Sequence, residues 1–184
     1  LFRSAGQDGM IILWDLQKAA MAPPQSFIPE ITALKIFNED SDCRPMVFSG
    51  DLEGNLCKRI PPSMITDSNK WRGHTGRVWD IELTPCGSFL VTVGVEISAE
   101  TRNTKGSIAI WELENFRCLA RFASTSEVQA SAVSGSGKYL VTATADRKIS
   151  LWHLEKVLKQ CSFEQTCLSE FLTPSVIRSL QFLG

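Results

Sequence analysis

A segment that recurs along the chain limits its possible folds more than any other feature. Each copy begins with residues typical of a turn, continues into a mainly apolar stretch and ends in one large side chain, which we call the anchor. The anchors are Trp14, Arg59, Trp111 and Trp152. The intervals between anchors are nearly constant once an insertion at residues 95–105 is set aside. Self-similarity at a fixed period indicates a repeat architecture, in which each repeat packs on its neighbours.

Each period has the composition of about four short strands separated by turns. Residues 89–93 and 139–143 are rich in β-branched and aromatic side chains, and the stretches before them, 84–88 and 134–138, are rich in Gly, Pro and Ser. Further apolar residues earlier in each period predict a first strand. Evenly spaced short strands with a repeated aromatic residue favour a β-propeller over a helical solenoid. The chain is therefore predicted to be all-β.

The repeats resemble WD repeats, a family of β-propeller scaffolds in which each repeat starts with Gly-His and ends with Trp-Asp. The third copy carries the resemblance best, because Gly73-His74 precedes Val78 and is followed by Thr92 and Trp111. The resemblance covers essentially the whole chain and implies a partial repeat over 1–27, repeats over 28–72, 73–122 (with the insertion 95–105) and 123–172, and the first strand of a next repeat over 173–184. WD propellers commonly have about seven blades. The chain is thus expected to form about four blades, as an open part of a larger propeller.

The resemblance also implies a hydrogen-bonded chain inside each blade, made by a His, a Ser or Thr, an Asp and the Trp. The matching positions are His74, Thr92 and Trp111 in the third copy, Thr142, Asp146 and Trp152 in the fourth, and Ser4, Asp8 and Trp14 in the first. In the fourth copy Ser124 stands where the His is expected, and in the third the insertion displaces the Asp. No copy has the full set. These residues are expected to be structural, because a buried indole N–H needs a partner.

The composition leaves little material for catalysis or metal binding. The two histidines are His74, which the resemblance assigns to a blade, and His153, which follows Trp152. The six cysteines form no Cys-x-x-Cys pair. The sequence thus predicts that the chain is not an enzyme and that it has no catalytic, cofactor-binding or metal-binding residues and no cofactor.

The charge balance argues against a partner that needs a strong positive field. Nineteen Lys and Arg oppose twenty Asp and Glu, which gives a net charge of -1, so collecting nucleic acid or binding an anionic membrane would require a local basic patch. No apolar run approaches the roughly 18 residues of a membrane span, and no membrane partner is predicted. The cysteines are scattered and no Asn-x-Ser/Thr acceptor occurs, which fits an intracellular location, cytoplasmic or nuclear.

The resemblance points to one face of the propeller as a binding surface. Ligands of WD propellers often dock on the face that carries the loop before each first strand, and the positions that flank the first apolar residue of that strand point there. These positions are Glu30, Thr32, Arg77, Trp79, Glu127, Gln129 and Arg178. Arg77 and Trp79 stand out, because Arg and Trp dominate interface energetics. The alternative for Trp79 is packing against the neighbouring blade. The insertion is expected to rise from the same face.

The sequence therefore predicts a non-catalytic scaffold that mediates protein–protein interaction within a multisubunit complex. The alternative is a propeller subunit of an RNA-processing or RNA-modifying assembly. Its local basic patch would consist of Arg77, Arg102, Lys105 and Arg178. A binding constant that falls steeply with salt would favour that alternative.

Overall fold

The computed structural model describes residues 2–5, 10–15, 20–21, 25–26, 30–37, 46–59 and 70–183, with side chains from residue 30 onward. These residues are mostly in β-strands, and the sheets they form are antiparallel. The predicted all-β fold of four-stranded sheets is confirmed.

The strands group into one sheet for each repeat. The first sheet holds β1 (Phe2–Ala5), β2 (Met10–Asp15), β3 (Ala20–Met21) and β4 (Gln25–Ser26). The second sheet, blade 2, holds β5 (Ile31–Phe37), β6 (Met46–Asp51), β7 (Asn55–Arg59) and β8 (Lys70–Arg72). Blade 3 holds β9 (Val78–Leu83), β10 (Phe89–Ile97), β11 (Thr104–Glu112) and β12 (Arg117–Ser124). Blade 4 holds β13 (Val128–Val133), β14 (Tyr139–Thr144), β15 (Lys148–His153) and β16 (Cys167–Leu172).

Blades 2, 3 and 4 share one topology, in which consecutive strands pair antiparallel in chain order. The turns between the first and second strands are alike in blades 3 and 4. Gly87 and Gly137 both have a φ of 70°, and each donates its amide to the residue three positions earlier. Glycine suits this turn because a positive φ carries no steric penalty without a Cβ.

The first strands of the three blades lie side by side, and polar contacts tie each to the next. Thr32 Oγ1 of β5 donates to the carbonyl oxygen of Val78 in β9 at 2.6 Å. The Ser131 amide and hydroxyl in β13 donate to Asp80 Oδ2 in β9, at 2.8 and 3.0 Å. Lys35 Nζ of β5 also lies 2.5 Å from Glu82 Oε2 of β9. This arrangement of neighbouring inner strands is that of propeller blades.

The apolar core lies between blades. One cluster joins blades 2 and 3 and includes Phe48, Leu56, Ile81, Leu90 and Trp111. A second cluster joins blade 3 to blade 4 and includes Val91, Val93, Ile108, Ile110, Leu140 and Trp152. Successive residues of β10 face opposite clusters, because side chains alternate across a strand. Blade 3 is thus buried on both faces.

A short helix in blade 4 has no counterpart in the predicted run of strands. Helix α1 (Leu154–Gln160) connects β15 to β16, and it buries Leu154 and Val157 against the cluster between blades 3 and 4. His153 is its N-cap and accepts from the Lys156 amide through Nδ1. Among the residues that the structure describes, no helix is long and apolar enough to cross a membrane.

The end of the chain differs from the prediction. A first strand was expected over 173–184, but residues 173–183 form no strand, and residue 184 lies outside the described residues. An inner strand is held by its ladder to the second strand of the same blade. In the described part of the chain, no ladder includes this segment.

Candidate functional site

A chain of hydrogen bonds runs through the interior of blade 3. Trp111 Nε1 donates to Thr92 Oγ1 at 2.9 Å, and the same hydroxyl lies 2.9 Å from His74 Nε2. The other imidazole nitrogen, Nδ1, lies 3.2 Å from Glu96 Oε1. His74 and Thr92 are buried, so the chain is shielded from water. The structure therefore brings the three predicted residues together and adds a carboxylate.

The charges along this chain of hydrogen bonds decide which group donates and which accepts in each bond. Burial lowers the pKa of His74, which keeps the imidazole neutral. Although partial burial acts to raise the pKa of Glu96, hydrogen bonds from His74 and Thr75 and the charge of Arg121 lower it to about 2. We therefore assign the His74 proton to Nδ1, facing the Glu96 carboxylate. Nε2 then accepts from the Thr92 hydroxyl, and that hydroxyl accepts from Trp111.

Glu96 was not among the predicted residues, because it lies inside the insertion. Thr92, Gly94 and Glu96 follow one face of β10, and the imidazole of His74 lies over the middle position. A Cβ added to Gly94 would stand 2.8 Å from His74 Cγ. The alternation of side chains from Thr92 would have indicated Glu96 if β10 had been extended into the insertion.

Arg121 of β12 holds the base of the insertion against the blade. Its Nη1 donates to Glu96 Oε1 and, at 3.1 Å, to Ser107 Oγ, while Nη2 donates to the Gly73 carbonyl oxygen at 2.7 Å. The Thr75 hydroxyl donates to Glu96 Oε2 at 2.9 Å. Glu96 thus links the insertion, the loop that carries His74 and the outer strand of blade 3.

Blade 4 has only part of this chain. Trp152 Nε1 donates to Thr142 Oγ1 at 2.9 Å, as in blade 3. Asp146 instead accepts from the Thr144 hydroxyl. Ser124, at the position of His74, accepts from the Ser126 amide at 3.4 Å. The structure therefore pairs Thr142 with Trp152 but gives Asp146 a different partner.

Blade 2 replaces the aromatic anchor with a cation. Arg59 Nη1 donates to Ser49 Oγ, which is the hydroxyl equivalent to Thr92, and burial lowers the pKa of the Arg59 guanidinium. Asp51 organises the following turn by accepting from the Glu53 and Asn55 amides, at 3.0 and 2.8 Å.

The partial first copy lies mainly outside the described side chains. Residue Asp8 and the side chains of Ser4 and Trp14 are outside the described residues, although β1 and β2 pair so that Phe2 faces Trp14 along the backbone.

The predicted binding positions occupy one recurring backbone feature. The carbonyl oxygens of Glu30, Arg77 and Glu127 accept from the amides of Leu52, Val95 and Ala145, at 3.0, 2.9 and 2.8 Å. In each blade the ladder then shifts by one residue, and the extra residues are Thr32, Trp79 and Gln129. A β-bulge of this kind redirects a side chain. Glu30 and Thr32, Arg77 and Trp79, and Glu127 and Gln129 are therefore structurally equivalent pairs in blades 2, 3 and 4.

Arg77 and Trp79 differ from the other pairs because each has a polar hydrogen without an acceptor. The Arg77 guanidinium carbon lies 4.2 Å from the centre of the Trp79 ring. Within the described part of the chain, the buried atoms Arg77 Nε and Trp79 Nε1 have no hydrogen-bond partner. The Trp79 ring also packs against the cluster between blades 3 and 4. Packing against the neighbouring blade was the alternative role considered for this residue.

The remaining predicted positions are placed differently. The hydroxyl of Thr32 is used within the fold, while Glu30, Glu127 and Gln129 are half-buried. Arg178 is exposed in the segment 173–183, away from any strand.

The insertion is a continuation of the β10–β11 hairpin. Glu96 pairs with Lys105 and Ile97 with Thr104, and residues 98–103 form its tip. The base of this hairpin joins the loop before β9, where Gly76 donates to the Val95 carbonyl oxygen at 2.9 Å. Within the described ranges, no group of three His, Cys, Asp or Glu side chains could hold a metal ion.

Comparison with known families matches the two best-formed repeats. The family model described as WD domain, G-beta repeat matches residues 66–112 and 116–153. Both matches end directly after a Trp anchor, at Glu112 and His153. The chain matches none of the curated proteins with which it was compared.

Proposed function

We propose, from the premise that this chain is a WD-repeat protein, that it acts as a non-catalytic scaffold in a multisubunit complex and binds a partner protein through Arg77 and Trp79. WD40 repeats form a protein-interaction type of domain, and such propellers present a continuous surface built from equivalent positions of successive blades. The proposal assigns that role to the recurring bulges of the inner strands.

The pair of unsatisfied donors at Arg77 and Trp79 carries the proposal. Buried donors almost always have partners, and leaving one unpaired costs about 1–3 kcal/mol. Arg77 Nε and Trp79 Nε1 belong to residues two positions apart, at the bulge and just before it, and the guanidinium is stacked on the ring. Both side chains are half-buried although these two nitrogens are shielded from solvent, so a partner that turns them outward and supplies two acceptor oxygens would recover this free energy on binding.

The surroundings of this pair define the partner's chemistry. Glu30 and Glu127 occupy the equivalent positions in blades 2 and 4, on either side of Arg77. A strongly acidic segment would meet these carboxylates. We therefore expect a partner segment with one carboxylate or exposed carbonyl at the Arg77–Trp79 pair and with neutral or basic residues beside it.

Affinity capture with the full chain tests the proposal. Partners retained by the wild-type chain are compared with those retained by the R77A/W79A double variant. For central contacts we expect a loss of more than about 2 kcal/mol, which is about 30-fold in Kd. Tyr139→Ala is the matched control, because it removes an exposed aromatic ring at the opposite end of blade 4 from the bulge.

A second variant separates binding from packing. Trp79→Phe retains most of the ring that packs against the blade 3–4 cluster but removes the N–H donor. We expect a melting temperature no lower than that of the wild type, because the unpaired donor is removed, and a Kd increased about 2- to 10-fold, the value of one hydrogen bond. Unchanged affinity in R77A/W79A with an intact fold would contradict the proposal. Capture of nucleic acid, with an affinity that falls steeply as salt rises, would favour the RNA alternative.

A further inference from the structure

A cavity of about 190 Å³ opens in blade 4 beside the Trp152 anchor. Its apolar wall includes Ile108, Phe122 and Trp152, and its polar wall includes Thr142 and Asp146. The lining also includes Ser124, the residue that occupies the position of His74. The cavity therefore lies beside the part of blade 4 that corresponds to the imidazole of blade 3.

The comparison of the two blades shows which hydrogen bonds are missing. In blade 3 the Thr92 hydroxyl accepts from Trp111 and donates to His74 Nε2. In blade 4 the Thr142 hydroxyl accepts from Trp152 in the same way. Within the described residues, however, the Thr142 hydroxyl proton has no acceptor. Thr142 is only 2% exposed, so this buried donor faces the cavity without a protein partner.

The charges around the cavity favour a ligand that also donates a hydrogen bond. Lys148 and Glu170 both line it, and they pair with each other at 3.4 Å. The Asp146 carboxylate accepts from Thr144 but is in no ion pair of the described part of the chain. A carboxylate has several acceptor sites, so Asp146 can accept a further hydrogen bond from a bound group.

We propose that this cavity binds a neutral imidazole ring, which supplies from outside the chain the group that His74 supplies in blade 3. One ring nitrogen accepts from the Thr142 hydroxyl, and the N–H on the other side donates to Asp146. The ring faces pack against the apolar wall. The ring belongs either to a small molecule or to a histidine of a partner, and the inference stands whether or not the Arg77–Trp79 pair binds a protein.

The size of the cavity suits this ring. A cavity of about 150 Å³ is large enough to bind benzene, and imidazole is smaller than benzene. The mixed lining distinguishes the site from a dry apolar void, because ordered water would occupy it when the ring is absent. Binding then exchanges this water for a ligand that satisfies the same polar groups.

Titration of the full chain with imidazole at about pH 8, above the ordinary histidine pKa, tests the inference. Indole N–H resonances in ¹H–¹⁵N spectra report separately on the two blades. We expect a saturable shift of the Trp152 resonance in the millimolar range and none for Trp111, whose blade already contains His74. 1-Methylimidazole, which has no N–H to donate, should bind at least about tenfold more weakly.

Two arms identify the source of the ring and the site. N-acetylhistidine methylamide carries the ring on a peptide backbone: binding of this compound supports a partner histidine, and binding of free imidazole alone supports a small molecule. Ser124→His should abolish imidazole binding by filling the cavity. Ser175→His, at an exposed position outside the cavity lining, should leave it unchanged. No saturable shift in the wild-type chain, or equal shifts of Trp111 and Trp152, would overturn the inference.

Discussion

The replacement of Thr92 by Val should destabilise the chain at least about twice as much as the same replacement at Thr142. Both threonines are buried, and each accepts from a tryptophan indole at 2.9 Å. The two sites therefore match in burial, in strand position and in the volume exchanged. They differ because the hydroxyl of Thr92 also serves His74.

The expected magnitudes follow from the groups that lose a partner. Thr142→Val leaves one buried group unpaired, Trp152 Nε1, but also removes the Thr142 proton that has no acceptor, so it costs at most about 1–3 kcal/mol. Thr92→Val leaves two, Trp111 Nε1 and His74 Nε2, and costs about 2–6 kcal/mol. Strand propensity and methyl burial change alike at both sites, so these contributions cancel when the two variants are compared.

Urea unfolding of the two variants and the wild-type chain measures this difference. The midpoint and slope are fitted together, because a change in slope would indicate an altered unfolded state rather than a lost interaction. A further variant, Glu96→Gln, should cost less than Thr92→Val, since Gln can still accept from His74. Equal losses at Thr92 and Thr142, or a larger loss at Thr142, would refute the hydrogen-bonded chain of blade 3.

Three further predictions concern stability. Trp152→Ala should lose about 3–5 kcal/mol, the cost of emptying a large aromatic site, and a melting temperature equal to wild type would contradict its place in the core. Gly106→Ala should lower the free energy of unfolding by about 1–3 kcal/mol, because the added Cβ would stand 2.0 Å from the Ser126 carbonyl oxygen. Gly135→Ala is the control: its Cβ would meet nothing within 4 Å, so its melting temperature should equal that of the wild type. The folded-state pKa values of His74 and Glu96 are both lowered. The contribution of each group to folding stability is therefore complete above its unfolded pKa, about 6.5 for His74 and 4.5 for Glu96, and is lost as the pH falls through its folded pKa. Melting temperatures should thus fall from about pH 6.5 downward and, for Glu96, on toward pH 2, and an unchanged profile in His74→Gln would show that His74 does not contribute.

The blades could be predicted from the sequence because their signal is repeated and local. A Trp recurs at the end of an apolar strand, as Trp111 and Trp152. Turn residues such as Gly87 and Gly137 separate the two strands that come before this Trp strand. Each copy supports the assignment of the others. The family match at residues 66–112 and 116–153 covers the third and fourth copies, which end in Trp111 and Trp152.

The features that could not be predicted depend on contacts between distant residues. The acid of blade 3 is Glu96, and choosing it over Glu100 required the register of the extended hairpin, in which Glu96 faces Lys105. Helix α1 carried a signal that the strand pattern obscured. Leu154, Val157 and Leu158 recur at helical spacing, and Glu155 precedes Lys159 by one turn.

The candidate binding positions were predicted by resemblance, but their differences were not. The sequence grouped Thr32, Trp79 and Gln129 as equivalent, and the bulges place them at equivalent points of three blades. Whether a side chain at such a point is used inside the fold depends on its neighbour in the next blade. Thr32 reaches the Val78 carbonyl oxygen, whereas Trp79 Nε1 reaches no acceptor in the described part of the chain.

Hydrogen–deuterium exchange of the chain with and without its captured partner tests the binding face most directly. If the partner binds at the inner-strand bulges, exchange should slow in the segments 76–80 and 127–130, around Arg77 and Gln129. The outer strands β12 and β16 should exchange as they do in the free chain. Slower exchange in β12 and β16, with the bulge segments unchanged, would contradict a binding face formed by the inner-strand bulges.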